Sequence, residues 1–133
     1  LGCLHGRTSE ERGGMKIRAI IKRPDEEYGH VSFISDTLEN LQRTVGGYIE
    51  TVTFPPLMRN EDKFVIICDE EGRLKGKEYN CTVAQRDQRW MRIECDFRGD
   101  IAVLGVDGDE FADCPLQLSE WKKMLVRRND DED

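Results

Sequence analysis

Two short runs in this chain carry no charged or strongly polar side chain: Phe64-Val65-Ile66-Ile67-Cys68 and Ile101-Ala102-Val103-Leu104-Gly105-Val106. Successive side chains of a strand point to opposite sides of its sheet, so a strand with one wet face alternates apolar and polar residues. A run that is apolar at every position therefore predicts a strand covered on both faces. Both runs lie beside reverse turns, Asp69-Glu70-Glu71-Gly72 after the first and Arg98-Gly99-Asp100 before the second. Neither approaches the roughly 18 apolar residues that a bilayer crossing requires. A chain of 133 residues can bury one core of that kind and hardly two.

The remaining pattern is mostly of period two. Met15, Ile17, Ala19 and Ile21 alternate with Lys16, Arg18 and Lys22, which predicts a strand with one buried face. Pro24 to Gly29 is a polar turn, and His30 to Ile34 reads as the return strand. Asp36-Thr37-Leu38-Glu39 fits a capping box, with Asp36 at the N-cap and Glu39 three residues on. Leu38, Leu41 and Val45 share one face of that helix, and Gly46-Gly47 supplies a left-handed stop. Tyr48 to Phe54 is rich in β-branched and aromatic residues and closes on Pro55-Pro56, so it predicts a strand; Leu57 to Lys63 reads as a polar excursion. Further strands are expected over Tyr79–Val83 and Met91–Phe97, joined by a polar link from Ala84 to Arg89. Ser119 is the expected cap of a last helix that carries Leu118, Trp121, Met124 and Leu125 at helical spacing. Lys122, Lys123, Arg127 and Arg128 lie towards its C-terminal end, where cations are favoured. The order of elements implies an α+β fold: a mixed or antiparallel sheet of about five to seven strands with two helices packed on one side. Residues 1–14 lack periodicity and read as an arm, residues 15–128 as a single domain, and residues 129–133 as an acidic tail.

Charge narrows the function. Lys and Arg number 20 against 27 Asp and Glu, a net charge of −7, and the isoelectric point is about 4.9. Proteins that hold a phosphate backbone carry a basic excess, so direct nucleic-acid binding is disfavoured. A basic protein surface, or a small ligand in a local pocket, suits this balance better. The five cysteines, Cys3, Cys68, Cys81, Cys95 and Cys114, include no CxxC pair, which excludes a ribbon-type zinc site. Cys68, Cys81 and Cys95 fall in apolar or alternating runs and read as small buried hydrophobes in reduced form. Residues 1–14 hold no continuous apolar core of the signal-peptide type, so the expected setting is intracellular.

Few residues suit catalysis. The domain has one histidine, His30, around which any Ser-His-Asp or Cys-His machinery would have to be built. The phosphate-cradling patterns Gly-x-x-x-x-Gly-Lys-Ser/Thr and Gly-x-Gly-x-x-Gly are missing. Asp107, Asp109, Glu110 and Asp113 are oxygen ligands of the type hard cations take, but the spacing is not that of a calcium loop, so a charged turn is expected and no metal or cofactor. Joined to Asp69, Glu70 and Glu71, the same residues are the candidate protein-binding face. Arg86, Arg89 and Arg92, interleaved with Trp90 and set against Tyr79, form an alternative nucleotide-stacking platform.

From Met15 onwards the chain resembles a known family. Met15-Lys16-Ile17-Arg18-Ala19-Ile20-Ile21-Lys22-Arg23-Pro24, the stretch Thr37 to Glu50 with its Val45-Gly46-Gly47-Tyr48-Ile49-Glu50 core, Ile66 to Gly76, and Gly99 to Phe111 are similar to the domain-of-unknown-function family thirty-eight forty-six. The likeness runs from Met15 to Leu125; the segments Pro55–Lys63 and Ala84–Glu94 are longer or differently filled than in typical members. The resemblance implies a small accessory protein of phages, plasmids and other mobile elements, acting in the cytoplasm of a bacterial host without established enzymatic activity. Accessory proteins of that setting often antagonise host defence. The expected role is therefore a non-enzymatic inhibitor that binds a bacterial defence protein such as a CRISPR effector nuclease, its acidic surface opposing a basic nucleic-acid channel. A nucleotide-sequestering sponge and a regulatory binding module are the alternatives. Neither nucleic acid nor membrane is an expected partner, and nothing in the sequence sets the oligomeric state.

Overall fold

At the centre of the structure, a computed structural model that describes residues 15–53, 63–86, 89 and 91–126, the two apolar runs lie side by side. They are β4 (Phe64–Asp69) and β7 (Ile101–Asp107), paired antiparallel with Phe64 opposite Gly105 and Ile67 opposite Ala102. The other elements are β1 (Lys16–Lys22), β2 (His30–Ser35), α1 (Leu38–Val45), β3 (Ile49–Val52), β5 (Tyr79–Arg86), β6 (Arg92–Arg98), β8 (Glu110–Ala112) and α2 (Leu118–Met124). A six-stranded sheet runs β2-β1-β7-β4-β3, with β8 also on β7, and β5 and β6 form a separate two-stranded sheet. Every pairing among the described strands is antiparallel. This is the α+β class expected, with two helices.

Alternation along β4 and β7 sorts the core into two layers. Val65, Ile67, Ala102 and Leu104 face Leu41 and Val45 of α1. Phe64, Ile66, Ile101 and Val103 face the opposite way, towards Cys81, Val83 and Phe97 of the β5–β6 hairpin and Trp121 and Met124 of α2. The helices thus stand on opposite faces of the main sheet, a correction to their expected placement on one side. The reason lies in the hairpin. It roofs the second face, and the chain after α2 ties to its outer edge through a Val83–Leu125 bridge and a bond from Val126 N–H to the Thr82 carbonyl at 2.9 Å. Trp121, fully buried, also donates its indole N–H to the Tyr28 carbonyl at 2.8 Å.

Both helix starts differ from expectation. Thr37 is the N-cap of α1, its hydroxyl accepting from Asn40 N–H at 3.3 Å. Asp36 is occupied elsewhere: its carboxylate accepts from Met15 N–H at 2.8 Å, and its own N–H donates to the Met15 carbonyl at 2.9 Å. For α2 the N-cap is Gln117, whose N–H donates to the Glu120 carboxylate at 2.7 Å, and Ser119 lies inside the helix. Leu38 turns outward, leaving Leu41 and Val45 as the buried face of α1. Gly46 ends that helix as expected, with φ 79° and its N–H on the Gln42 carbonyl at 2.8 Å. Strand β5 runs on to Arg86, through part of the expected polar link, and the short β8 has no counterpart in the sequence pattern. Expected features in residues 1–14, 54–62, 87, 88, 90 and 127–133, among them the arm, Pro55-Pro56, Trp90 and the acidic tail, lie outside the described residues.

The segment after β8 wedges between β1 and β7. Cys114 N–H donates to the Arg18 carbonyl at 2.8 Å, and Asp113 accepts from Arg18 N–H at 2.7 Å. The crossing is close: a Cβ added at Gly105 would stand 1.9 Å from the Asp113 carbonyl oxygen. Backbone cannot yield as a side-chain tip can, so Gly105→Ala is expected to destabilise the fold by about 1–3 kcal/mol, read as a lower urea midpoint with unchanged slope.

Candidate functional site

Of the acidic residues expected to form a docking face, Asp69 is withdrawn by the fold. It ends the central strand β4 and is 5% exposed. One carboxylate oxygen accepts from Lys75 Nζ and Lys77 Nζ, both at 2.8 Å, and the other from Glu71 N–H at 2.9 Å. Lys77 Nζ also donates to the Val45 and Gly46 carbonyls at 2.9 and 3.2 Å, the negative end of α1. The carboxylate needs the space above Gly47, where an added Cβ would lie 2.5 Å from it. The Gly46-Gly47 pair therefore has two duties, a helix stop at Gly46 and a seat for Asp69 at Gly47. Burial by itself raises the Asp69 pKa, but hydrogen bonds from Lys75, Lys77 and Glu71 N–H outweigh it and hold the carboxyl well below the usual range.

The other acidic residues do not converge. Glu70 and Glu71 follow β4, whose register with β7 sets Asp69 near the start of β7, while Asp107 lies at its end. Seven residues of strand separate the two positions, roughly 23 Å. They form separate patches. Asp107, Asp109 and Glu110 stand exposed on the tight β7–β8 turn, where Asp107 pairs with Glu110 across Gly108 and Asp109 and Gly108 takes φ 67°. Asp113 is also exposed but spends one oxygen on Arg18 N–H. Among the described residues, no group of three or more His, Cys, Asp or Glu is placed to share a metal ion.

The alternative, basic set is partly assembled. Arg86 and Arg92 face each other at the end of the β5–β6 hairpin where the chain passes from one strand to the other. With Lys123, Met124 and Leu125 they line a groove of about 390 Å³. Arg92 also donates to Glu94 at 2.6 Å. Tyr79 is at the far end of β5, opposite Arg98, with its hydroxyl 2.5 Å from the Thr82 hydroxyl, so it does not join that groove. Arg89 is exposed, and Trp90 lies outside the described residues.

Sequence reasoning missed one buried polar site. Lys22, assigned to a wet face by alternation, is 3% exposed. Its ammonium donates to the Glu26 carbonyl at 2.7 Å, the Asn80 side-chain oxygen at 2.8 Å and the Arg23 carbonyl at 3.2 Å. Asn80 sits at a register break in β5 and donates to the Lys22 and Gly99 carbonyls at 2.8 and 2.6 Å. A bulge aims one side chain inward, and here it supplies the acceptor that a buried cation needs. Nothing in the alternation of β1 marks Lys22, because the signal lies in a strand 58 residues away.

Cys68 and Cys81 are buried as expected and Cys114 is buried too, whereas Cys95 is only half-buried at the edge of the core. Cys68, Cys81, Cys95 and Cys114 are free, and burial pushes the Cys68 thiol up to about 12 and the Cys81 thiol up to about 11. His30 is engaged by Glu26 at 2.7 Å. No helix among the described residues is long and apolar enough to cross a membrane.

Residues 15–126 match the family described as Domain of unknown function (DUF3846). The chain belongs to that family. No curated protein and no solved structure matches it. The match covers every described strand and helix of this DUF3846 domain, including the Asp69 cluster and the acidic turn.

Two outcomes are expected. An aspartate held below its unfolded pKa of about 3.9 stabilises the fold above that value and loses the contribution as pH falls through the lower, folded one. Asp69→Asn should cost about 2 kcal/mol at neutral pH, and unfolding free energies measured from pH 7 to pH 2 should fall less steeply than in the parent. Cys68 and Cys81 should react with a thiol reagent at pH 8 only after denaturant is added.

Proposed function

We propose that the protein acts by contact: its acidic β7–β8 turn docks on a basic protein surface, that of a bacterial defence effector such as a CRISPR nuclease, and occludes its nucleic-acid channel. The observation that carries this reading is the exposed trio Asp107, Asp109 and Glu110 on one tight turn at the end of the sheet. Held on a two-residue connection, these carboxylates are exposed together at one turn, and the net charge of −7 adds a long-range attraction to any cationic surface. Electrostatic pairing of this kind speeds association and fades with salt. The side chains best suited to chemistry are engaged internally: Asp69 by two lysines and His30 by Glu26. The mobile-element setting and the choice of effector come from the family resemblance.

Effector cleavage assays with excess protein test the reading directly. Inhibition is expected, with affinity falling at least about tenfold between low and physiological salt and again on the double reversal Asp107→Lys, Asp109→Lys. Effector activity untouched by a large molar excess would sink the proposal. A second reading has its own observation: Arg86, Arg92 and Lys123 line one groove, which suits a nucleotide phosphate. For that reading, titration with mono- and cyclic nucleotides should give saturable heat that Arg86→Ala removes.

A further inference from the structure

Five described strands, β2, β3, β5, β6 and β8, pair with one other strand only. Leu125 and Val126 bond along the free side of β5, and β8 has three residues and carries exposed Glu110. Open edges invite pairing with another chain, and charged side chains are the usual protection. Strand β3 carries exposed Glu50, and β6 carries exposed Arg92, Glu94 and Asp96. Strand β2, His30-Val31-Ser32-Phe33-Ile34-Ser35, carries no acidic residue, lysine or arginine, and its histidine is tied to Glu26. On that strand Phe33 is 62% exposed and Val31 37%, two residues apart and so on one face.

The register of β2 with β1 fixes which of its backbone groups point outward. Asp36 N–H donates to the Met15 carbonyl, so Ile34, Ser32 and His30 exchange bonds with Ile17, Ala19 and Ile21. Val31, Phe33 and Ser35 then direct N–H and C=O away from β1. Arg18 agrees: opposite Phe33, it bonds away from β2, to Cys114 and Asp113. The Ser35 carbonyl is already taken by the Asn40 amide at 3.0 Å. Val31 and Phe33 remain as the outward-facing backbone of a neutral, apolar edge.

We infer that this edge pairs with the same edge of a second copy, antiparallel about a two-fold axis at Ser32. In that register Val31 of each copy exchanges both main-chain bonds with Phe33 of the other, and the two side chains lie side by side across the junction. The arrangement is self-complementary, as an isologous contact must be. Charge selects the place as well: two copies of a chain at −7 repel, and least along a strand that carries none of that charge. One strand pair buries less than the roughly 800 Å² per partner of a standard interface, so the dimer is weak, with a dissociation constant on the order of micromolar.

Sedimentation of the full chain from about 1 to 200 µM should show a reversible monomer–dimer equilibrium, a range that brackets micromolar association. Phe33→Lys should abolish the dimer without lowering the thermal midpoint, since the side chain is exposed, while Glu50→Lys on the opposite edge should leave it intact. Ser32→Cys, in a Cys3→Ser background, should cross-link the dimer under mild oxidation. The two Ser32 Cα atoms would be roughly 4.5 Å apart in that register, within disulfide reach. A parent protein that stays monomeric at the highest concentration overturns the inference, as does a dimer that survives Phe33→Lys.

Discussion

The antiparallel pairing of β4 with β7 is the constraint from which the rest follows. Two strands apolar on both faces cannot lie at a surface, so each face must acquire a layer. Helix α1 supplies one and the β5–β6 hairpin with α2 supplies the other. Every other strand of the main sheet extends outward from this pair, and the ends of β4 and β7 decide where charged turns can emerge. The acidic β7–β8 turn is at one end. The Asp69 cluster is at the other, where the central strand delivers a carboxylate into the interior and two lysines meet it.

That cluster also shows why a local motif can have a distant cause. Gly47 is small because Asp69 occupies the space a side chain would take, and Lys77 joins the carboxylate to the last carbonyls of α1. A buried carboxylate with two ammonium partners is costly to break from either side. The helix end, the β4 turn and the lysines are therefore one mechanical unit, and Asp69 is withdrawn into it while Glu70 and Glu71 stay exposed.

Much of the architecture was legible because it rests on periodicity. Alternation disclosed β1, β2 and β6, uninterrupted apolar runs disclosed β4 and β7, and helical spacing disclosed Leu41, Val45, Trp121 and Met124 as core. Capping residues were harder. Asp36 has the chemistry of an N-cap, and so does Thr37, and the choice was made by Met15, which claims the Asp36 carboxylate from across a strand. The candidate site was less legible still. Asp69, Glu70 and Glu71 are neighbours in sequence with one charge each, yet the first is buried and the other two exposed, because Asp69 is the last residue of a strand covered on both faces and Glu70 and Glu71 belong to the turn that leaves it.

By itself the chain determined its class, its central strands, the apolar faces of its helices and its surplus of negative charge. These depend on side-chain type and on spacing within one element. Only the tertiary structure decided that the helices take opposite faces, that Lys22 is buried against Asn80, that the acidic residues form two distant patches, and that Tyr79 is parted from Arg86 and Arg92. Those outcomes depend on which strands become neighbours and in what register, and register places residues far apart in the chain within hydrogen-bond reach while it carries near neighbours to opposite ends.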